Sequence, residues 1–329
     1  MPTPNETLSP LDRRIVGALQ IDGRASWRRI AAILDVPERT VARRGTRLLD
    51  EGAVVVTGLA IWPPSAASWL VQAQCTPGTA RPVARALARR TDSIFTYIVT
   101  GQADVVAELR ITDDQAASLL LDELPAVNGL VRASATPSLR PIRGAHEWLP
   151  NLLEPAEREA LRASKHERAP RADPTREPPS AVDRLLLKAL AENGRRTTDE
   201  LGRLCGVSEA TARRRVDALR SEGLVVLRAV VEPALLGFPV EALVWLHSAP
   251  SSSEALGRAL HGAPAVRWAI ESAGHCTFVV DLVAADRAAL RELVTASQWS
   301  QFVDHYEIST VLESLKRSAV LSAGLREQT

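Results

Sequence analysis

Over residues 9–20, SPLDRRIVGALQ, the apolar residues Leu11, Ile15, Ala18 and Leu19 recur at the spacing of one helical face behind a Ser-Pro start. SWRRIAAILD (26–35) carries a second short amphipathic helix with Ser26 as its N-cap. After a turn of two or three residues a longer helix starts at Pro37 and stops at Gly52. Three short helices, the last two joined by a tight turn, describe a helix-turn-helix. AVVVTGLAIW then turns to strand composition and predicts a wing. From residue 68 the pattern changes again: strand SWLVQAQC, helix ARPVARALARR, strands SIFTYIVT and DVVAELRIT, helix QAASLLLDEL and strand GLVRASATPSL. That order is βαββαβ, a ferredoxin-like domain with an antiparallel sheet and both helices on one face.

The whole pattern then occurs a second time. VPERTVARRGTRLLDEGAV (36–54) returns as VSEATARRRVDALRSEGLV (207–225), with Val36 on Val207. The alignment is free of gaps from Asp12/Asp183, through Asp22-Gly23-Arg24 over Asn193-Gly194-Arg195, to Gly52/Gly223. A second block places Leu87 over Leu260 and Gly101 over Gly274, with a slip of two positions against the first. A repeat spanning half the chain is a duplicated multi-element module, not a solenoid unit. The expected fold class is therefore α+β: two tandem copies of a winged helix-turn-helix followed by a ferredoxin-like βαββαβ domain. The boundaries are 1–62 and 63–150 for the first copy, 151–179 for a linker with a short helix, and 180–234 and 235–329 for the second. The linker reading rests on 165–180, which is charged, carries four prolines and lacks aliphatic residues. One face of each sheet needs a cover, most simply another such sheet, supplied by the other copy or by a second chain.

Composition narrows the partners. Of 329 residues 46% are apolar, no run suits a membrane span, and the N-terminus lacks a signal-peptide core, so the expectation is a soluble cytoplasmic protein. Cys75, Cys205 and Cys276 are far apart, and the six histidines form no metal-ligand spacing. Neither a cofactor, a metal nor a catalytic triad is expected. A net charge of +1 hides a local excess: residues 38–47 hold four arginines against one acid. On the third helix of a helix-turn-helix, twice, that excess is what phosphate binding requires. The residues expected to contact DNA are Arg39, Thr40, Arg43, Arg44 and Arg47 in the first copy. In the second they are Ser208, Thr211, Arg213, Arg214 and Arg215. Arg228 in the second wing is either a phosphate contact or an idle surface arginine. Gly45, where the second copy has Val216, costs roughly 1 kcal/mol of helix propensity, so the first reader is expected to be weaker or to order only on DNA.

The order helix-turn-helix, wing, βαββαβ resembles the Lrp/AsnC family of transcriptional regulators over nearly the whole chain, twice. The resemblance rests on Thr40, Val41, Arg44, Leu48 and Gly52, on Ser208, Thr211, Arg215, Val216, Leu219 and Gly223, on 232–238 (EPALLGF) at the wing's exit, and on the G-x-x-D turn Gly101-Gln102-Ala103-Asp104. It implies DNA binding modulated by a small effector, often an amino acid, held between paired βαββαβ domains near that turn. Gly101 and Asp104 are then the effector-site candidates; the plain alternative is a glycine needed for positive φ and an aspartate satisfying the turn. The second copy reads Gly274-His275-Cys276-Thr277 there, without the acid. The resemblance also implies a homo-oligomer or a built-in pseudo-dimer at the nucleoid. Two rivals stand beside it. The duplicated module also resembles the fused siroheme decarboxylases, for which His275 and Tyr97 are isolated candidates. A ligand-binding or adaptor protein with inactive helices is the other, and it need not keep outward arginines.

Overall fold

The computed structural model of the chain describes residues 7–60, 67–163 and 179–326. The linker expected over 165–180 lies outside them except for its last two residues. The first copy runs α1 (Pro10–Ile21), α2 (Trp27–Leu34), α3 (Glu38–Asp50), β1 (Val54–Ala60), β2 (Ala67–Cys75), α4 (Ala80–Ala88), β3 (Ser93–Val99), β4 (Val105–Ile111), α5 (Asp113–Ser118) and β5 (Leu130–Arg143). A short helix α6 (Pro155–Arg162) follows. The second copy repeats the order as α7 (Ala181–Glu192), α8 (Thr198–Cys205), α9 (Glu209–Ser221), β6 (Val225–Val231), β7 (Val240–His247), α10 (Pro250–Gly262), β8 (Val266–Ser272), β9 (Phe278–Ala284), α11 (Arg287–Ala296) and β10 (His305–Arg317). No helix among the described residues is long and apolar enough to cross a membrane.

The chain folds into two compact units, and each draws on both copies: Met1–Ser65 with Leu149–Glu232, and Ala66–Trp148 with Pro233–Thr329. In the first unit the stripes read from the sequence do face inward. Ile15, Leu19, Ile30, Val41 and Leu48 are fully buried in the first copy, as are Leu186, Leu190, Leu201 and Ala212 in the second. Ser9, Ser26, Ser180, Thr197 and Ser208 each accept a backbone N–H at a helix start. Gly52 and Gly223 adopt φ of 67° and 72°, the left-handed stop that glycine supplies. On the first copy only, α6 packs against α1 and α2: Leu161 is buried, Glu157 pairs with Arg14, and Arg29 donates to the carbonyls of Ala160 and Leu161.

The wings depart from expectation. β1 and β6 do not edge separate wings; they pair with each other, antiparallel, from Val54↔Val231 to Ala60↔Val225. Each strand lacks a local partner, and the other copy's strand supplies one. Arg228 faces Thr57 across this ribbon and is 4% exposed, so it is neither a phosphate contact nor an idle surface residue.

The second unit is one closed sheet. Its strand order is β10-β3-β4-β2-β5-β8-β9-β7, with β7 returning to β10. Two strands close it. β5 pairs with β2 through its first half and β8 through its second; β10 does the same with β7 and β3. The expectation of two stacked sheets thus becomes an eight-stranded antiparallel barrel formed by the two copies of one chain. One apolar cluster, including Val83, Leu87, Leu109 and Leu119, lies between the first copy's strands and its helices. A second, including Leu256, Leu260, Val280 and Val294, does the same for the second copy. The strand faces turned the other way share a third cluster, built from Phe95, Tyr97, Trp245 and Trp268 among others.

Candidate nucleic-acid interface

The two recognition helices are α3 and α9, and each is tied to the first helix of its own copy by one buried aspartate. Asp12 on α1 accepts from Arg44 at 3.1 Å and from Arg47 at 3.1 Å. Asp183, at the same repeat position on α7, accepts from Arg215 Nε at 2.8 Å and from Arg215 Nη2. Burial alone would raise the Asp183 carboxyl, but hydrogen bonds from Arg215 and Ser180 outweigh it and hold it below its ordinary value. Arg44 and Arg215, expected to contact DNA, are half-buried and tie the recognition helix to the first helix of its copy. Arg47 is 47% exposed and shares Asp12 while also facing Glu51.

What remains outward is a smaller set. Arg39, Arg43 and Arg214 are exposed and have no ion-pair partner among the described residues, and Arg213 is exposed beside Glu209 at 2.7 Å. Arg43 and Arg214 occupy the same position of the repeat; Arg39 answers to Ala210 and Arg213 to Ala42. Ser208 caps α9 through the N–H of Thr211 and donates to the Thr211 hydroxyl, so those two residues are engaged in starting the helix. Thr40 is half-buried in the first turn of α3.

A repeated triplet locks the two helical modules together. In Asp22-Gly23-Arg24, Gly23 N–H donates to Leu227 O at 3.0 Å; in Asn193-Gly194-Arg195, Gly194 N–H donates to Val56 O at 2.8 Å. Arg24 then donates to the carbonyls of Gly194 and Arg196, and Arg195 to those of Gly23 and Ala25. A Cβ on Gly23 would lie 2.9 Å from Arg228 N, so the close backbone approach requires glycine. The triplet is visible as a repeat in the sequence, but nothing local marks it as an interface. Arg195 also lies over the Trp27 ring at 4.5 Å. That indole fills the space beside Gly45, where a Cβ would come within 2.5 Å of it. α3 is nonetheless an unbroken helix through Gly45, which makes room for Trp27 rather than weakening the helix.

The effector candidates fall on a turn held by a side-chain hydrogen bond. Gly101 has φ 103°, and Asp104 Oδ2 accepts the Cys75 N–H at 2.7 Å. In the second copy the Thr277 hydroxyl accepts the Ser248 N–H at 3.1 Å, the same role without a charge. Asp104 thus serves its own turn, and in the second copy an uncharged hydroxyl stands in its place. The Cys75 thiol beside it is pushed up to about 11 by burial and by Asp104. At the second copy's turn, three histidines that are scattered in the sequence meet: His247 lies 5.4 Å from His305 and 6.4 Å from His275, ring centre to ring centre. Among the described residues no three His, Cys, Asp or Glu are placed to hold a metal ion.

Sequence reasoning missed the charges buried in the sheet unit. Arg267 bonds Glu241 at 2.5 Å and Asp281 at 2.8 Å, and Arg317 bonds Glu241 at 2.7 Å and the Tyr97 hydroxyl at 3.1 Å. Burial would raise Glu241, but the two arginines outweigh it and hold it low, at about 2. Asp281, with fewer donors, is pushed up by burial to about 8.

The model of the AsnC-type helix-turn-helix domain matches this chain twice, over residues 8–49 and 180–220. An uncharacterized HTH-type transcriptional regulator of Pyrococcus abyssi is 30% identical over 140 residues, which is 41% of this chain and 88% of the relative. The chain belongs to the Lrp/AsnC family. A further HTH-type transcriptional regulator, from Pyrococcus furiosus, is 33% identical over 127 residues, 37% of this chain and 86% of the relative. Family relatives of this kind are therefore about as long as one copy. Among solved structures, the siroheme decarboxylase NirDL matches 93% of this chain and 92% of its own with a TM-score of 0.59 at 12% identity. At that identity the likeness speaks for fold alone, and it covers both copies together.

Proposed function

We propose that the protein is a sequence-specific DNA-binding transcriptional regulator that reads DNA with two unlike helices, and that it is not an enzyme. The observation that carries this reading is the exposed arginine at one repeated position, Arg43 and Arg214, on helices whose inner arginines are held by Asp12 and Asp183. Arg39 adds a second outward arginine in the first copy and Arg213 in the second, at different positions. Arginine can bond guanine O6 and N7 bidentately, so the two copies would prefer unlike half-sites about one helical turn, or a multiple, apart. The sheet unit, read as two ferredoxin-like halves, would bind a small carboxylate effector such as an amino acid. A groove of about 370 Å³ lined by Arg287, Arg291, Leu290, Val294, Tyr306 and Glu241 offers two arginines beside apolar side chains, with the Glu241 carboxylate already held by Arg267 and Arg317.

The test is binding to the DNA upstream of the protein's own gene against unrelated DNA across a salt series. Replacing Arg213 and Arg214 by Ala, or Arg39 and Arg43 by Ala, should each weaken own-promoter binding by about 1–3 kcal/mol for every base that is no longer read. Equal and weak binding to both DNAs, unmoved by either pair, would defeat the regulator reading. The whole-chain likeness to NirDL keeps a decarboxylase as the second reading. Against it, the buried arginines Arg267 and Arg317 already face Glu241 and Asp281 and offer no free cation to a tetrapyrrole carboxylate. Tyr97 lies in that same network and His275 is exposed against Trp245. A siroheme absorption spectrum that shifts on adding the protein would revive that reading.

A further inference from the structure

The hydrogen-bond ladders obey the repeat. Ser314 pairs with Tyr97 at one seam of the barrel and Pro141 with Ile270 at the other. Under the alignment that carries Leu87 onto Leu260, Pro141 falls on Ser314 and Tyr97 on Ile270, so each pair is the image of the other. The backbone pairs of one seam are thus images of those at the other. Arg81 of α4 donates to Glu313 of β10 at 2.8 Å. The image contact joins Glu254 of α10 to Arg140 of β5 at 2.9 Å, with the charges exchanged. The first copy thus supplies arginine at both seam positions and the second copy glutamate at both. A barrel of two first copies would set Arg81 against Arg140 twice; one of two second copies would set Glu254 against Glu313 twice.

Contacts that need one of each copy recur elsewhere, without the seams' polarity. In the helical unit Arg220 of α9 bonds Asp22 at 3.2 Å, both side chains nearly buried, while their images are Leu49 and Asn193. In the barrel Tyr97 from the first copy meets Arg267 and Arg317 from the second, whose images are Ile270, Ile94 and Gly144. Neither copy carries both sides of any of these contacts.

We propose that these charges form a pairing code by which each copy accepts the other and repels a second copy of itself. The seam pairs are exposed, so each attraction is small; discrimination comes from the reversal of sign at both seams in a mismatched pair. A consequence is that the unlike helices α3 and α9 are always presented one of each. That consequence rests on the regulator reading; the code does not, and it is read without DNA.

The test uses the full chain with Glu271→Gln throughout, because Glu271 also pairs with Arg140, at 3.0 Å. R81E/R140E gives both seams the charges of a second copy against itself, and E254R/E313R those of a first copy against itself. All four substitutions together restore opposite charges with reversed polarity. Both like-charge chains should melt about 2–4 °C below the parent at low salt, with the loss shrinking at about 0.5 M salt, and the fourfold chain should return to within about 1 °C of the parent. Circular dichroism checks that each is folded before melting. Like-charge chains that melt with the parent would overturn the code, as would a fourfold chain that loses the sum of the two.

Discussion

In the first copy, Trp27 of α2 fills a notch that Gly45 leaves in α3; at the same two positions the second copy holds Thr198 and Val216. Large-small has become small-medium, and both helices run unbroken over thirteen residues. Glycine in a helix costs about 1 kcal/mol of propensity, but it lets the half-buried Trp27 indole pack against α3, which offsets that cost. A glycine judged alone looks like a defect, and judged with its neighbour it is half of a fitted pair.

Exchanging the pair in parts asks whether size compensation relates the two copies. Gly45→Val puts a side chain where only 2.5 Å separates the Cβ from the Trp27 ring, and overpacking of this kind costs about 3 kcal/mol. Urea unfolding would read the loss. Adding Trp27→Thr, which reproduces the second copy's pair, should recover most of it. It should not recover all, because the Arg195 guanidinium loses its ring, worth about 0.5–1 kcal/mol. If the double variant is no more stable than Gly45→Val, the two copies solve this packing by unrelated means.

The barrel interior is unequal in the same way. Glu241, Arg267 and Arg317 stand where the first copy has Ser68, Ile94 and Gly144, while Asp281 answers to Glu108. Asp281 is the group that pH should reveal. Its carboxyl, pushed up to about 8 by burial, stays protonated in the folded chain over a range where the unfolded chain has lost the proton. Folding then takes up a proton, so stability falls as pH rises from about 4 to 8, by at most about 1.4 kcal/mol per unit. Glu241 acts oppositely, losing stability only as pH falls below about 4.5 toward 2. Lys316, lowered to about 8 by burial, adds stability only as pH rises above 8. Between pH 5 and 8, then, unfolding of the parent should show the decline and Asp281→Asn should flatten it. The same slope in both proteins would assign the titration to another group.

Periodicity made the helices and the succession of strands legible, because each depends on residues a few positions apart, and the duplication showed as a direct match of one half of the chain on the other. Contacts between distant residues were not legible. β1 reads as part of a local wing because its partner β6 belongs to the other copy, and the barrel closes through β5 and β10 changing partner halfway along their length. Arg43 and Arg44 are neighbours with opposite fates, decided by Asp12 on a different helix. The buried charges were hidden because Glu241 and Asp281 each sit singly in an aliphatic strand, and Arg267 shares its strand only with Glu271. A strand of that kind shows the charge without showing its partner.

Helix starts offer the smallest test of how far the copies are alike. Ser208 accepts the Thr211 N–H at 3.2 Å, while Pro37 at the same position makes no side-chain cap. Ser208→Ala should cost about 1 kcal/mol. Pro37→Ser should not return the same amount. The new hydroxyl gains a cap, but the unfolded chain regains the freedom that proline had removed, worth about 0.4–1 kcal/mol. The expected net gain is at most about 0.5 kcal/mol, read as a small rise in urea midpoint. A gain as large as the Ser208→Ala loss would mean that proline's rigidity contributes nothing at this turn. A loss would mean that the fixed φ of Pro37 holds α3 in place, and that the two copies start their recognition helices by different physical means.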